Sequence, residues 1–218
     1  MYVITHDLSA SFNHIKGFAE ILSTKIADKI APEDQLYFEH MILAVRKSEA
    51  MLSAITKLSH IPLQEKPSGT ICLKQAIESV CEKLSPQICD RDAKIDFNAV
   101  SACIEMDKDN LELMLLCLID NAMKFTPKEI QPEIEIETIE DKNFVILTIT
   151  DNGRGINKEP ASQFFDLFRK EMRGPQDQNN LGAGLAYVKE IVQHYNGSVS
   201  FVKTQPACAI EVILPITL

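Results

Sequence analysis

An all-α helical hairpin followed by an α+β two-layer sandwich is the fold class this sequence predicts, and three observations predict it. Apolar residues near the start recur with a helical period and no strand-like alternation. A stretch without any period, Pro62-Leu63-Gln64-Glu65-Lys66-Pro67-Ser68-Gly69, then interrupts the chain with two prolines and a glycine. Beyond it, helical and alternating patterns are interleaved, as in a sheet with helices packed on it. The expected division is therefore a hairpin over 1–62, a linker over 63–69 and a second domain over 70–218.

In the first helix Leu8, Phe12, Ile15, Ala19, Leu22 and Ile26 recur in steps of four and three, which is the seam of a bundle helix. Ala31-Pro32-Glu33-Asp34 breaks the pattern, and Phe38, Met41, Val45, Leu52, Ile55 and Leu58 resume it. Two helices alone would expose much of both seams, so a homodimer is expected, with two hairpins making a four-helix bundle. After the linker come a helix near 73–89, short strands around Ile95 and Ile104, and a helix over about 109–125. Ile134, Ile136 and Thr138 alternate with Glu133, Glu135 and Glu137, which gives a strand with one buried and one wet face. The run Phe144 to Thr150 pairs with it through Asp141-Lys142-Asn143. A last helix near 184–195 and strands near 198–203 and 209–214 complete a mixed sheet with helices on one face.

The 218 residues leave room for two domains, and 45% hydrophobic with 24% charged residues is ordinary globular composition. No apolar run approaches the length of a membrane span, and no basic segment leads into an apolar one as in a secretory signal. A cytoplasmic location without a membrane segment is expected. Cys72, Cys81, Cys89, Cys103, Cys117 and Cys208 form no Cys-x-x-Cys pair, and are expected as small buried hydrophobes in a reducing compartment. A formal net charge of -9 argues against nucleic-acid binding, because phosphate backbones select basic surfaces. A nucleotide would need a local site.

Asp151-Asn152-Gly153-Arg154-Gly155-Ile156 has the makings of one. In an extended strand Val145, Leu147, Ile149 and Asp151 share a face, so the carboxylate points with core side chains and needs a donor. Gly153 and Gly155 remove side-chain bulk and permit positive φ, so backbone can approach a flat ligand such as a purine. Asp-Asn-Gly is equally the chemistry of a hairpin turn. On the preceding helix Cys117, Asn121 and Lys124 line one stripe, while Leu111, Leu115, Leu118 and Ala122 line another. Asn121 offers an amide oxygen to a hard cation such as Mg²⁺ and Lys124 a point charge to phosphate, unless that stripe is simply solvated. Gly182-Ala183-Gly184 opens the last helix and exposes amide donors at its positive end. Between the two glycine segments, 174–180 is polar and breaker-rich and follows Arg169, Lys170 and Arg173, which suggests a lid carrying cations.

These parts together resemble a known family. Asn121-Ala122-Met123-Lys124-Phe125-Thr126-Pro127 resembles the N box of sensor histidine kinases, and Asp151-Asn152-Gly153-Arg154-Gly155-Ile156 the first glycine box. Phe164-Phe165-Asp166-Leu167-Phe168 resembles the F box and Gly182-Ala183-Gly184-Leu185-Ala186 the second glycine box, all in family order. The resemblance implies a Bergerat-type ATP-binding domain of the histidine-kinase ATPase kind, with ATP and Mg²⁺ held by Asn121, Lys124, Phe125, Asp151, Gly153, Gly155, Ile156, Arg169, Gly182, Gly184 and Leu185. Asn121 is the implied metal ligand. His6-Asp7-Leu8-Ser9-Ala10-Ser11-Phe12 resembles the family's H box, whose histidine is phosphorylated with help from the next acidic residue. His6 lies about 200° around the helix from Leu8 and so faces away from the seam. His14, His40, His60 and His194 are expected as solvated surface residues.

The implied function is an ATP-dependent histidine kinase core that autophosphorylates on His6, with Asp7 assisting, and passes the phosphoryl group to an aspartate of a response-regulator receiver domain. Such a core stands alone in the cytoplasm or forms the cytoplasmic part of a larger sensor. The alternative is a non-catalytic phosphotransfer or adaptor protein with a degenerate ATP-binding domain. An ATPase like gyrase or MutL is a third reading, and it would hydrolyse ATP without using His6.

Several positions depart from the family pattern. Ser11 stands where proline is usual, which leaves the helix unkinked near His6. Ala10 lacks the polar group that positions a hydrolytic water, so weak or absent phosphatase activity is expected. Cys117 replaces an asparagine and removes an oxygen ligand near the metal. Asn180-Leu181 and Tyr195-Asn196-Gly197 replace a glycine-polar pair and a His-Gly-Gly end, changes that would weaken ATP binding or turnover.

Overall fold

The computed structural model describes residues 2–26, 32–60, 69–97, 100–156, 161–168, 182–203 and 207–216. These divide into two compact units, with α1 (Tyr2–Ile26) and α2 (Pro32–His60) in one and every later element in the other. The expected linker, Gly69 apart, lies outside the described residues.

The two long helices run antiparallel. Lys16 meets Glu49 at 3.6 Å and Glu20 meets Arg46 at 3.8 Å, so a step forward on one helix is a step back on the other. These partly exposed pairs report the register and add little stability. Pro32 is the first helical residue of α2, where its missing N–H has no intrahelical acceptor to lose. Ala19, Val45, Leu52 and Ala54 are buried between the helices. Ile15, Phe18 and Leu22, at helical spacing on α1, remain 46%, 67% and 48% exposed. The pair therefore leaves much of its apolar surface in water.

The second unit is built on a mixed five-stranded sheet in the order β2-β4-β5-β7-β6, with β2 (Lys94–Asp96), β4 (Glu133–Glu140), β5 (Phe144–Asp151), β6 (Ser198–Lys203) and β7 (Cys208–Pro215). Strand β2 runs parallel to β4 and the other neighbours are antiparallel. Ile134 and Ile136 of β4 and Val145, Leu147 and Ile149 of β5 point into the core, while Glu133, Glu135 and Glu137 face water. Helices α5 (Lys108–Phe125) and α6 (Gly184–His194) bury Leu111, Met114, Leu115, Leu118, Val188 and Ile191 in the same core.

Two elements differ from expectation. The helix anticipated over 73–89 is split at Leu84 into α3 (Leu73–Lys83) and α4 (Ser85–Arg91), because Pro86 cannot continue the hydrogen bonding of α3 and instead occupies the first turn of α4. The strand near Ile104, β3 (Cys103–Glu105), does not join the main sheet but pairs with β1 (Thr70–Cys72) in a separate two-stranded sheet. That pairing also corrects the reading of the cysteines. Cys72 lies opposite Cys103 and the two form a disulfide, and Cys89 is exposed, whereas Cys117 and Cys208 are buried small residues as expected.

At the end of α6, Asn196 takes a positive φ of 58° and the Gly197 N–H reaches back to the Val192 carbonyl at 2.8 Å. A Cβ at Gly197 would sit 2.2 Å from the Ile213 carbonyl oxygen, which is sheet backbone and cannot move aside. Gly197→Ala is therefore expected to destabilise the domain by about 1–3 kcal/mol, read as a lower urea midpoint.

Candidate nucleotide site

Helix α5 is fixed at both ends. At its start the Asp107 carboxylate caps the helix by accepting the N–H groups of Asp109 (3.0 Å) and Asn110 (3.1 Å). The hydroxyl of Tyr195, 1% exposed, accepts the Asp107 N–H at 3.1 Å and the Asn110 side-chain amide at 3.3 Å. At its end the Arg91 guanidinium donates to the carbonyls of Met123 (3.1 Å), Thr126 (3.1 Å) and Pro127 (3.0 Å), satisfying orphan acceptors and placing positive charge at the negative end of the helix dipole. Sequence reasoning missed both anchors. Tyr195→Phe would remove the acceptor that both groups share, and a loss of about 1–3 kcal/mol in chemical denaturation is expected.

Between the anchors, Asn121 is half-buried against the first residue of α6. A Cβ on Gly184 would lie 3.7 Å from the Asn121 amide nitrogen, 3.8 Å from its oxygen and 3.7 Å from the Cβ of Cys117. Among the described residues no side chain caps α6, and no acidic residue stands in its first turn, an arrangement that suits an anion. Lys124 makes an ion pair with Asp120 one turn earlier on α5. Leu185 is half-exposed, and the buried seam of α6 runs through Ala186, Val188, Ile191 and Val192.

Strand β5 ends on Asp151, only 8% exposed. Burial pushes its carboxyl up to about 6, opposed by hydrogen bonds from the backbone of Gly153 and Cys208. The Cys208 thiol beside it is pushed up to about 12, by burial first and by the Asp151 charge second. The Gly153 N–H donates to Asp151 Oδ1 at 2.9 Å, and a Cβ there would come within 2.7 Å of that oxygen and 3.1 Å of the Phe125 carbonyl oxygen. Gly153 is thus required for room, while of the two glycines it is Gly155 that adopts positive φ, at 64°. Arg154 N–H bonds the Phe125 carbonyl at 3.3 Å and ties the loop to the end of α5. Asn152 accepts the Glu133 N–H and donates to the Gln131 carbonyl, each at 2.9 Å, so this loop is held to β4 and is no solvated hairpin turn. Ile156 is half-buried at its end.

The segment Ala161–Phe165 forms a short 3₁₀ helix whose buried Phe165 ring meets Phe201 at 4.9 Å. Phe168 takes a φ of 63° and its N–H bonds the Gly182 carbonyl at 2.8 Å, which brings the end of the F-box segment to the second glycine segment. Gly182 has a φ of 68°, a conformation that favours glycine. Arg169, Lys170, Arg173, the expected lid and Asn180-Leu181 lie outside the described residues. His6 and Asp7 belong to the continuous helix α1, and their side chains lie outside the described residues, as does that of His60. His14 and His40 are exposed as expected. His194 is not a solvated residue: it is half-buried, with Nε2 shielded from water and without a hydrogen-bond partner, because the end of α6 packs inward beside Tyr195.

A buried acid behind a glycine, an amide-bearing helix set against an uncapped helix start, and a five-stranded sheet beneath both define a nucleotide-binding α+β domain. Residues 106–218 match the histidine kinase-, DNA gyrase B- and HSP90-like ATPases, and the chain belongs to that family. Its relatives include the sensor protein KdpD of Clostridium acetobutylicum, 26% identical over 204 residues that make up 91% of this chain and 22% of the relative. Sensor protein CreC of Escherichia coli is 24% identical over 206 residues, 94% of this chain and 42% of the relative. The chain therefore spans less than half the length of these sensor proteins. Among solved structures, Acinetobacter baumannii histidine kinase AdeS superposes with a TM-score of 0.65 at 19% identity, covering 92% of this chain and 94% of that one. Full-length ShkA in complex with AMPPNP gives 0.68 at 17% identity over 100% of this chain and 46% of that one. At these identities the likeness to solved structures shows the fold, which is the histidine-kinase ATPase type in the second unit. Among the described residues no helix is long and apolar enough to cross a membrane.

Proposed function

We propose that this chain is a cytoplasmic histidine kinase core, with a dimerisation and phosphoacceptor hairpin over 1–62, a linker over 63–69 and an ATP-binding catalytic domain over 70–218. The observation that carries the reading is the Asp151–Gly153 floor joined through Phe125 to the helix on which Asn121 meets Gly184. The residues present fit ATP and Mg²⁺. Gly153 leaves the face of the acid clear for a flat base, and the Asp151 carboxylate accepts the adenine amino group. The start of α6 with Gly182, Gly184 and Leu185 binds phosphate, and Asn121 supplies an amide oxygen to the cation. Bound Mg²⁺ offsets the charge on the phosphate oxygens. Lys124 turns from Asp120 to reach phosphate, and Arg169 adds a further charge from the lid.

A neutral imidazole nitrogen of His6 attacks the γ-phosphorus in line, the bond from that phosphorus to the bridging oxygen breaks and ADP leaves, while Asp7 accepts the hydrogen bond of the other ring N–H and raises the nucleophilicity of the attacking nitrogen. The phosphohistidine then passes its phosphoryl group to a receiver-domain aspartate on a response regulator. Incubation with γ-labelled ATP and Mg²⁺ tests the proposal by an acid-labile, alkali-stable label on His6. The adaptor reading is favoured by one feature: Cys117, buried beside Asn121 and Gly184, offers sulfur where a hard cation prefers oxygen.

The exposed stripe of Ile15, Phe18 and Leu22 supports dimerisation through the hairpin, since an apolar face of this kind is normally covered. Phe18→Glu combined with Leu22→Glu is expected to convert a dimer to a monomer in sedimentation equilibrium and to leave nucleotide binding unchanged.

A further inference from the structure

We infer that Cys72 and Cys103 form a reversible redox site, a dithiol–disulfide couple that fastens β1 to β3 when oxidised and releases it when reduced. Register is the starting point. The two strands are three residues each and make a sheet of their own, with Cys72 opposite Cys103, Cα atoms 4.0 Å apart and the sulfurs bonded. A ladder this short is marginal in water, so the covalent link is a large part of what holds β1 in place. Both cysteines are part-exposed, within reach of a dissolved oxidant or reductant. Cys117 and Cys208 are buried, and burial raises the thiol pKa of Cys81, which makes that thiol less reactive. Cys89 is exposed but belongs to no disulfide.

The position gives the pair its consequence. β1 is the first strand after α2 along the chain, and the Leu73 amide just beyond it bonds the Ala102 carbonyl at 2.9 Å. β3 leads through the buried Met106 to Asp107, the cap of α5, which carries Asn121. The link thus joins the strand that enters the ATPase domain to the strand that feeds the helix of the nucleotide site.

Hydrogen peroxide can supply the oxidation. One cysteine thiolate attacks a peroxide oxygen, the O–O bond breaks, and a sulfenic acid forms while the departing hydroxide takes up the thiol's proton and leaves as water. The second thiol attacks the sulfenic sulfur, the S–S bond forms, the S–O bond breaks and a second water leaves with the remaining proton. Two thiols have then lost two electrons and two protons, and the peroxide has become two waters. A dithiol reductant reverses the state by exchange, returning two thiols and becoming a disulfide itself. If the chain is the kinase proposed above, the redox state regulates phosphoryl transfer to His6.

The whole chain, equilibrated in glutathione buffers from strongly reducing to strongly oxidising and then alkylated, is expected to show Cys72 and Cys103 labelled at one extreme and linked at the other, reversibly. Amide hydrogen exchange over 69–73 and 102–105 should quicken at least roughly tenfold on reduction. The Cys72→Ser, Cys103→Ser double variant should exchange like reduced wild type in every buffer. A bond that persists under strong reduction, thiols that never link in the oxidising buffer or with peroxide, or exchange that ignores the redox state overturns the inference. A labelling arm with γ-labelled ATP separates the two readings. Equal labelling of His6 in both states, with redox-dependent exchange, removes the regulation and leaves the kinase and the redox site; no labelling in either state, with the same exchange behaviour, removes the kinase and leaves the redox site.

Discussion

The Asp151→Asn variant is expected to bind ATP at least roughly a hundredfold more weakly than wild type while unfolding at a higher temperature at pH 8. Both effects follow from one buried carboxyl. Asparagine keeps the shape but has a single acceptor oxygen, which the Gly153 N–H already engages at 2.9 Å in the wild-type protein. Its other terminal atom is a donor, so an adenine amino group would meet a donor in a dry site. The stability change has the opposite sign because burial raises the Asp151 carboxyl from 3.8 to about 6. A folded value above the unfolded one means that the proton favours folding. The contribution is fully present below about pH 4 and is lost as pH rises through about 6, leaving a buried charge that costs on the order of 3 kcal/mol. The variant carries no such charge, so its advantage is greatest at pH 8 and vanishes near pH 4. The same titration makes wild-type affinity rise with pH through about 6, since the ionised form is the better acceptor. Calorimetric titration with a non-hydrolysable ATP analogue and thermal scans at both pH values check this. Unchanged affinity would remove Asp151 from the adenine contact, and an unchanged melting temperature at pH 8 would mean the charge is compensated.

The inward face of β5 was legible because strand period is local: Val145, Leu147, Ile149 and Asp151 alternate in the sequence and share a buried face in the fold. The helical period of α1 and α2 was legible for the same reason, but of the expected seam Ala19, Val45 and Leu52 are buried while Ile15, Leu22 and Met41 stay exposed. Three-residue strands write no period, and the opposition of Cys72 and Cys103 is a matter of register between distant segments. Pro86 was a visible break in the helix over 73–89, but apolar residues continue across it and masked the split at Leu84. Tyr195 ends the helix expected near 184–195, and the residue is buried just past the last turn of α6. Its hydroxyl, however, serves Asp107 and Asn110 far earlier in the chain, which no local pattern encodes. The meeting of Asn121 with Gly184 is likewise non-local, and the order of family boxes suggested both residues without giving the contact. Lys124 shows the converse. Its partner Asp120 stands at i−4, a spacing readable from sequence alone, and the phosphate role assigned to Lys124 has to compete with that pair.

His6→Gln is expected to reduce ATP-dependent labelling to background while leaving nucleotide affinity and dimerisation unchanged. Glutamine is a good helix former, so α1, which runs unbroken from Tyr2 to Ile26, should tolerate it. The residues proposed for the adenine floor and the phosphates belong to the other compact unit, so a binding defect would indicate misfolding rather than a lost nucleophile. Asp7→Asn should behave differently, with labelling slowed by about 10²–10⁴-fold but not abolished, because an orienting base contributes to the rate without being the atom phosphorylated. The stability of the product to alkali and its loss in acid distinguish a phosphoramidate from phosphoserine or an acyl phosphate. Three readings then give three outcomes. A kinase labels wild type and not His6→Gln. An adaptor shows no label from ATP, yet His6 accepts phosphate from a phosphorylated regulator, which would place the failure at the metal end near Cys117. An ATPase of the gyrase type releases phosphate steadily in both proteins, since its water nucleophile has no need of a histidine on α1.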